Sequence, residues 1–490
     1  MARRITSTSS KARVIKGFGW RLAERSGAQG VNFIVSLVLA RILLPTDYGT
    51  VALITVFTTI LQVFVDSGLG TALIQKRDAD EIDFSTVFYT NVLLCTLLYL
   101  LLFATAPFIA DFYSDPRMAV YIRVLGLVIV ISGVRNIQQA YVSRKMIFRK
   151  FFFATFGGTL GSAVVGIVMA MRGFGVWALI AQQLFNEAVG TLILWLIIDW
   201  RPIRAFSFPR LKTLFSFGWK LLASALIDTT YNNVRQLIIG KIYAPASLAF
   251  YNQGKKFPEL IVTNINASID SVLLPAMASE QENVSRVRSM TRRSIKTSIY
   301  IMAPLMIGLA ACADHIVFLV LTDRWLPAVP FLRIFCVTYL FWPLYTANLN
   351  AIKSLGRSDI FLRLEIEKKT IGIILLLLTM NISVMAMAYS LLASTFFSII
   401  INSSPNKKLL KYSYKEQLLD ICPTLLISCI MGAAVYALNL FHFSHVVMLM
   451  IQIIFGAVVY FALSKVFRND SFMYIGNTIK KIKDWKKVNV

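Results

Sequence analysis

Asp228, Asn232, Arg235 and Gln236 recur at steps of four and three within an otherwise apolar stretch, so on a helix they share one face. Asn252, Lys256, Glu259, Thr263, Asn266 and Asp270 keep the same spacing over about five turns. Lys255 stands beside the second stripe. These are residues for holding a ligand: cations bind anions, amides meet hydroxyls, and a carboxylate can carry a proton or a sodium ion. A charge at mid-bilayer depth costs about 2.5–3.5 kcal/mol on insertion scales, so such groups face water, a partner or a substrate. Two stripes of this kind predict the lining of a path. No metalloprotease, nucleophile-elbow or nucleotide-binding motif stands in the sequence, so a catalytic role and ATP hydrolysis are not expected, and neither is a cofactor.

Other polar residues carry two readings each. Arg21, Glu24, Arg25, Gln29 and Asn32 fall near one face of the first apolar segment; Arg21 sits where a side chain can snorkel to the surface, while Arg25 and Asn32 lie deeper and point to a cavity. Asp66 either caps a helix or meets a cation, and Glu187 is either a partnered structural carboxylate or a cavity group. Arg123, Arg135 and Arg333 read as snorkelling residues near the interface, and His442 and His445 as surface residues flanking a loop. Gly157, Gly158 and Gly161 make a close-packing motif between helices. Asp78-Ala79-Asp80 has the form of a nucleotide-sugar motif but stands in a short loop without the fold that uses it. The five cysteines lie in or beside apolar runs without metal-ligand spacing and read as buried small hydrophobes.

The elements that must position the stripes follow from composition. Of 490 residues, 57% are hydrophobic and only 15% charged, against roughly 25% charged in soluble domains. The chain is therefore expected to be an all-α polytopic membrane protein. Apolar runs long enough to span a bilayer fall near 19–43, 48–66, 85–106, 119–138, 152–171, 175–198, 217–240, 247–270, 297–313, 327–351, 364–380, 383–402, 419–439 and 443–465, which makes about fourteen transmembrane helices. The net charge of +25 gathers in alternate loops, such as Arg144 to Lys150, Arg201 to Lys212 and Lys407 to Lys415. That alternation puts both termini in the cytoplasm and assigns the charge to topology rather than to nucleic acid. The basic segment 479–487 is expected to rest on anionic lipid headgroups, and the polar start of the chain to be a cytoplasmic tail without a cleavable signal.

An internal repeat appears at an offset of about 200 residues. Phe18-Gly19-Trp20 matches Phe217-Gly218-Trp219, Arg41-Ile42 with Pro45 matches Lys241-Ile242 with Pro245, and Asp66 aligns with Asn266. Six spans intervene, so the repeat is parallel, an architecture that transporters use with substrate at the repeat interface. The expected domains are an N-lobe of helices one to six (1–210), a C-lobe of helices seven to twelve (211–402), and two further helices with a basic cytoplasmic tail (403–490).

The segments ARILLPTDYG (40–49), DSGLGTALIQ (66–75), YNQGKKFPELI (251–261) and GRSD (356–359), with the hydropathy profile, resemble the polysaccharide transporters of the multidrug/oligosaccharidyl-lipid/polysaccharide exporter superfamily. The branch most resembled holds the colanic acid exporter and related lipopolysaccharide and exopolysaccharide biosynthesis proteins. The resemblance implies a bacterial inner-membrane flippase, and it implies as substrate an undecaprenyl-pyrophosphate-linked oligosaccharide repeat unit. That unit would pass from the cytoplasmic to the periplasmic leaflet by alternating access with ion coupling. A polysaccharide polymerase, a chain-length regulator and membrane lipids are the partners it implies. On that reading Arg235, Lys255 and Lys256 face the pyrophosphate, while Asn232, Asn233, Asn252, Gln253 and Tyr251 face the glycan. Arg25, Asn32 and Asn266 complete the cavity, and Asp228 and Glu259 are the coupling-ion candidates. A drug or small-cation antiporter of the same superfamily is the alternative, and an excess of cavity carboxylates would favour it.

Overall fold

The computed structural model describes residues 29–477 together with Gly27, leaving out Ser67, Arg77, Met146 and His442, and only the backbone of Phe148 and Phe217. Arg21, Glu24, Arg25 and the basic segment 479–487 lie outside the described residues. No strand occurs among the described residues. Eleven helices there are long and apolar enough to cross a membrane, and the chain is a multi-pass membrane protein. The three remaining expected spans are also helical. They miss the criterion because only Gln29–Ile42 of the first (α1) falls in one described run and because α8 (Phe208–Ile242) and α14 (Ser358–Thr379) are interrupted by polar residues.

The chain forms two compact units, 1–249 and 250–490. The first holds α1, α2 (Pro45–Asp66), α3 (Leu69–Gln75), α4 (Glu81–Tyr113), α5 (Arg117–Lys145), α6 (Phe148–Met171), α7 (Val176–Ile197) and α8. The repeated turns are visible in the boundaries. α1 stops at Ile42 and α2 starts at Pro45, while α8 stops at Ile242 and α9 (Pro245–Ala278) starts at Pro245. Proline suits a first helical turn, where its missing N–H costs nothing. The two turns touch: a Cβ on Gly49 would fall 1.8 Å from the carbonyl oxygen of Pro245, so only glycine fits there.

Between α6 and α7 the glycine motif does what its spacing predicts. A Cβ on Gly158 would meet the backbone of Asn186 and Gly190 at 3.0–3.2 Å, and Gly161 admits Phe185. At one end of the unit Asp80 caps α4. It accepts from the Asp83 N–H (3.0 Å), and Asp83 accepts in return from the Asp80 N–H (3.2 Å). The acidic pair in the loop before α4 therefore includes a helix cap. The fully buried Asp83 is held by Lys76 at 2.6 Å.

The second unit packs α10 (Val284–Ala311) against α12 (Val329–Leu340), α13 (Trp342–Ser354) and α16 (Tyr414–Ala437). α14 pairs with α15 (Val384–Leu409), and α17 (His445–Val466) closes on α16 and on the short α11 (Ala313–Val320). A buried amide network ties three of these helices. Asn348 and Gln417 exchange hydrogen bonds at 2.8 and 3.0 Å, and Asn406 donates to Asn348 at 2.6 Å. Ser403 donates to Gln417 at 3.1 Å. Cys95, Cys312 and Cys336 are buried as expected, whereas Cys422 and Cys429 are exposed on α16, whose outer face carries small side chains beside leucines. His445 is exposed, but its ring nitrogen lies 2.8 Å from that of His315.

Candidate functional site: a polar cavity in the N-terminal unit

The first unit contains a cavity of ≈ 570 Å³. From α2 it is lined by Thr55, Thr59, Gln62 and Asp66, and from α5 by Val128, Ser132, Arg135 and Gln139. Both sets repeat at four, three and four residues, which places each on one helical face. α7 adds Gln183 and Glu187 one turn apart, and α8 adds Thr229.

The charged groups at the wall are paired. Arg135 Nη1 lies 2.7 Å from Glu187 Oε2, with side chains 16% and 24% exposed. Asn136 donates to Asp66 at 3.2 Å and accepts from Asn91 at 3.4 Å. A small residue makes this geometry possible: a Cβ on Gly70 would come within 2.8 Å of the Asn136 amide oxygen. The cavity thus offers two carboxylates, one guanidinium, and a set of amides and hydroxyls. Such a wall can hydrogen-bond a hydroxyl-rich ligand and can hold a proton or a small cation at Asp66.

Arg135 is a correction to the sequence reading. It does not snorkel; it turns inward because Glu187 on α7 offers a charge partner. Arg333 pairs with Asp314 at 2.5 Å, and Arg123 donates to the Phe103 carbonyl, so those two find partners close by. Outside the bilayer-crossing helices, the Arg210 guanidinium and the Asp83 N–H beside Asp80 lower its carboxyl to about 2.

The residues singled out in the sequence are distributed over α1, α8 and α9. Asn32 is exposed on α1. On α8, Asn232 donates to Asp228 at 3.2 Å and both are exposed; Gln236 donates to Asn233 at 3.0 Å, and Arg235 is half-buried. On α9, Asn252 and Lys256 are half-buried. Glu259 pairs with Lys255 at 3.2 Å one turn back. Asn266 is 6% exposed, and its amide has no hydrogen-bond partner among the described residues. Asp270 accepts from Asn350 of α13 at 2.7 Å. Arg25 lies outside the described residues.

Comparison with known proteins agrees with this architecture. The chain is 27% identical over 306 residues to the teichuronic acid biosynthesis protein TuaB of Bacillus subtilis (strain 168), a match covering 62% of this chain and 63% of TuaB. That match spans a little under two thirds of TuaB's length. The chain is 24% identical over 335 residues to the succinoglycan biosynthesis transport protein ExoT of Rhizobium meliloti (strain 1021), over 68% of each. In fold it resembles the lipid II flippase MurJ in an inward closed conformation, with a TM-score of 0.73, 14% identity, and coverage of 92% of this chain and 99% of that one. Residues 38–330 match the polysaccharide biosynthesis protein family, and with more than half of its length so matched, the chain belongs to that family.

Proposed function

We propose that this chain is a flippase that carries a lipid-linked oligosaccharide, an undecaprenyl-pyrophosphate-linked repeat unit, from the cytoplasmic to the periplasmic leaflet for surface polysaccharide biosynthesis. The observation that carries the reading is the cavity: a wall of amides, hydroxyls and paired charges inside a unit of membrane-crossing helices. Such a wall suits glycan hydroxyls, which need many hydrogen bonds and little net charge. Family membership and the names of TuaB and ExoT support the same substrate class. The pyrophosphate needs cations, and Arg235 on α8 with Lys255 and Lys256 on α9 are assigned to it. Asn232 and Asn252 are assigned to the glycan, and Arg25, Asn32 and Asn266 to the remainder of the path.

The chain works by alternating access, with an N-lobe, a C-lobe and two further helices, and its drive is an ion gradient. Asp66, Asp228 and Glu259 are the carboxylates proposed to couple it. It resides in the bacterial inner membrane with both termini cytoplasmic, a reading supported by the alternation of basic loops. A polymerase and a chain-length regulator act beside it on the delivered repeat unit.

The test is reconstitution in liposomes loaded with a defined lipid-linked oligosaccharide. The expected result is protein-dependent appearance of the glycan in the opposite leaflet, accelerated by an ion gradient. Movement no faster than in protein-free liposomes would refute the proposal. One observation favours a second reading: the cavity holds one more carboxylate than it holds cations, which also suits an exporter of small organic cations. The same liposomes assayed for gradient-driven uptake of a fluorescent cation decide between the two.

A further inference from the structure

A second cavity, ≈ 610 Å³, lies along the α14–α15 hairpin in the C-terminal unit. Ile360 and Leu364 of α14 and Ile400 and Ile401 of α15 line it together with Asp359 and Glu367, and the exposed Arg357, Arg363 and Lys408 stand at its mouth. The flanks are apolar and open: Leu362 and Ile366 are 61% and 58% exposed. That surface meets lipid in a membrane-crossing chain.

The charges at the mouth are unequal. Asp359 is held by both Nε and Nη2 of Arg357 at 2.9 and 2.8 Å, and Glu367 by Arg363 Nε at 2.7 Å. Each carboxylate is therefore neutralised by its own arginine. Lys408 has no ion-pair or hydrogen-bond partner among the described residues, and neither do the two terminal nitrogens of Arg363. Both side chains are exposed in one lining whose acids are already paired, so their donors are open to an anion.

We infer that the α14–α15 groove binds an anionic glycerophospholipid, its headgroup phosphate on Lys408 and Arg363 and one acyl chain along the isoleucines. A free phosphate would use the cations but leave the apolar floor without an occupant. A zwitterionic lipid would bring an ammonium into a mouth that is already net positive. The inference concerns a hairpin of the second unit and does not depend on what the chain transports.

Native mass spectrometry of the full-length protein, released from detergent micelles, tests it. With equal amounts of phosphatidylglycerol and phosphatidylethanolamine added, the protein is expected to retain phosphatidylglycerol in preference. Lys408→Glu combined with Arg363→Glu is expected to weaken that retention about tenfold or more. Lys408→Arg should keep it, and so should Lys465→Glu on α17, a charge reversal away from the groove. Melting temperatures close to the parent's establish that the variants are folded; if the double variant is not, Lys408→Ala alone carries the comparison. Equal retention of the two lipids, or retention unchanged in the groove variants, would overturn the inference. So would competition by inorganic phosphate alone, or displacement by undecaprenyl phosphate at lower concentration than by phosphatidylglycerol.

Discussion

Arg135 of α5 and Glu187 of α7 meet at 2.7 Å in the wall of the N-terminal cavity, an ion pair between two helices that are otherwise largely apolar. Removing one partner of a fully buried pair costs about 3–5 kcal/mol, and roughly 1–3 kcal/mol is expected here because cavity water solvates the remaining charge. Arg135→Met and Glu187→Leu should each lower the melting temperature in detergent. The double variant should be more stable than the worse single one, since no charge is left alone. Additive effects in this double-mutant cycle would mean that the pair is not coupled.

How much of this site was legible in the sequence depended on the residue type. The stripes of α8 and α9 stood out because Asp, Arg, Lys and Glu are rare in apolar runs. Thr55, Thr59, Gln62 and Asp66 have the same spacing on α2, but threonine is tolerated on any helix face and hides the pattern. Arg135 was misread because an arginine in an apolar run signals depth only when its partner is known, and Glu187 lies 52 residues away. The turns at Pro45 and Pro245 and the glycine packing of α6 on α7 were readable because proline and glycine act locally. The apolar run expected over 364–380 is only part of α14 (Ser358–Thr379), whose N-terminal half carries Arg363, Glu365, Glu367, Lys368 and Lys369 and hides the start of the helix from a reading by hydropathy.

Asp66 accepts from Asn136 and lies at the end of the α2 stripe. If it holds the coupling ion, Asp66→Asn abolishes the dependence of flipping on an imposed gradient while protein levels in the membrane stay the same. Asp228→Asn and Glu259→Gln, measured beside it, show whether the exposed Asp228 of α8 and the half-buried Glu259 of α9 share that task. A gradient dependence that survives in Asp66→Asn assigns coupling elsewhere.

The amides of Asn348, Asn406 and Gln417 bond to one another without access to water. Gln417→Leu removes the two hydrogen bonds that Asn348 exchanges with α16 and takes the acceptor from the buried Ser403 hydroxyl. A loss of about 1–3 kcal/mol is expected for such an orphaned group. It reads out as a lower melting temperature with α13, α15 and α16 more open to hydrogen exchange. An unchanged melting temperature would show that water takes the place of the side chain.

Asp80 has its carboxyl lowered to about 2 by Arg210 and by the Asp83 N–H. The sign follows from a folded-state value below the ordinary one: its contribution is present in full above about pH 4 and is lost as pH falls toward 2. Asp80→Ala should cost about 0.5–2 kcal/mol through the lost cap, with little added by the ion pair because both side chains are solvated. The melting-temperature gap between the parent and Asp80→Ala should therefore be constant near neutral pH and narrow in acid. A gap that does not change with pH would leave the cap without an electrostatic part.

Lys256 stands on the polar stripe of α9, and the neighbouring charges already have an arrangement of their own: Glu259 pairs with Lys255 at 3.2 Å. Local neutralisation of Glu259 therefore does not require Lys256. If Lys256 neutralises pyrophosphate, Lys256→Ala loses most transport and Lys256→Arg retains much of it, since a guanidinium also binds phosphate oxygens. The measurement is flipping in liposomes, or restoration of surface glycan in cells, at matched protein levels. Full activity of Lys256→Ala would remove it from the mechanism. Loss in both Lys256→Ala and Lys256→Arg, with the melting temperature kept, would mean that the position needs a compact ammonium rather than positive charge alone.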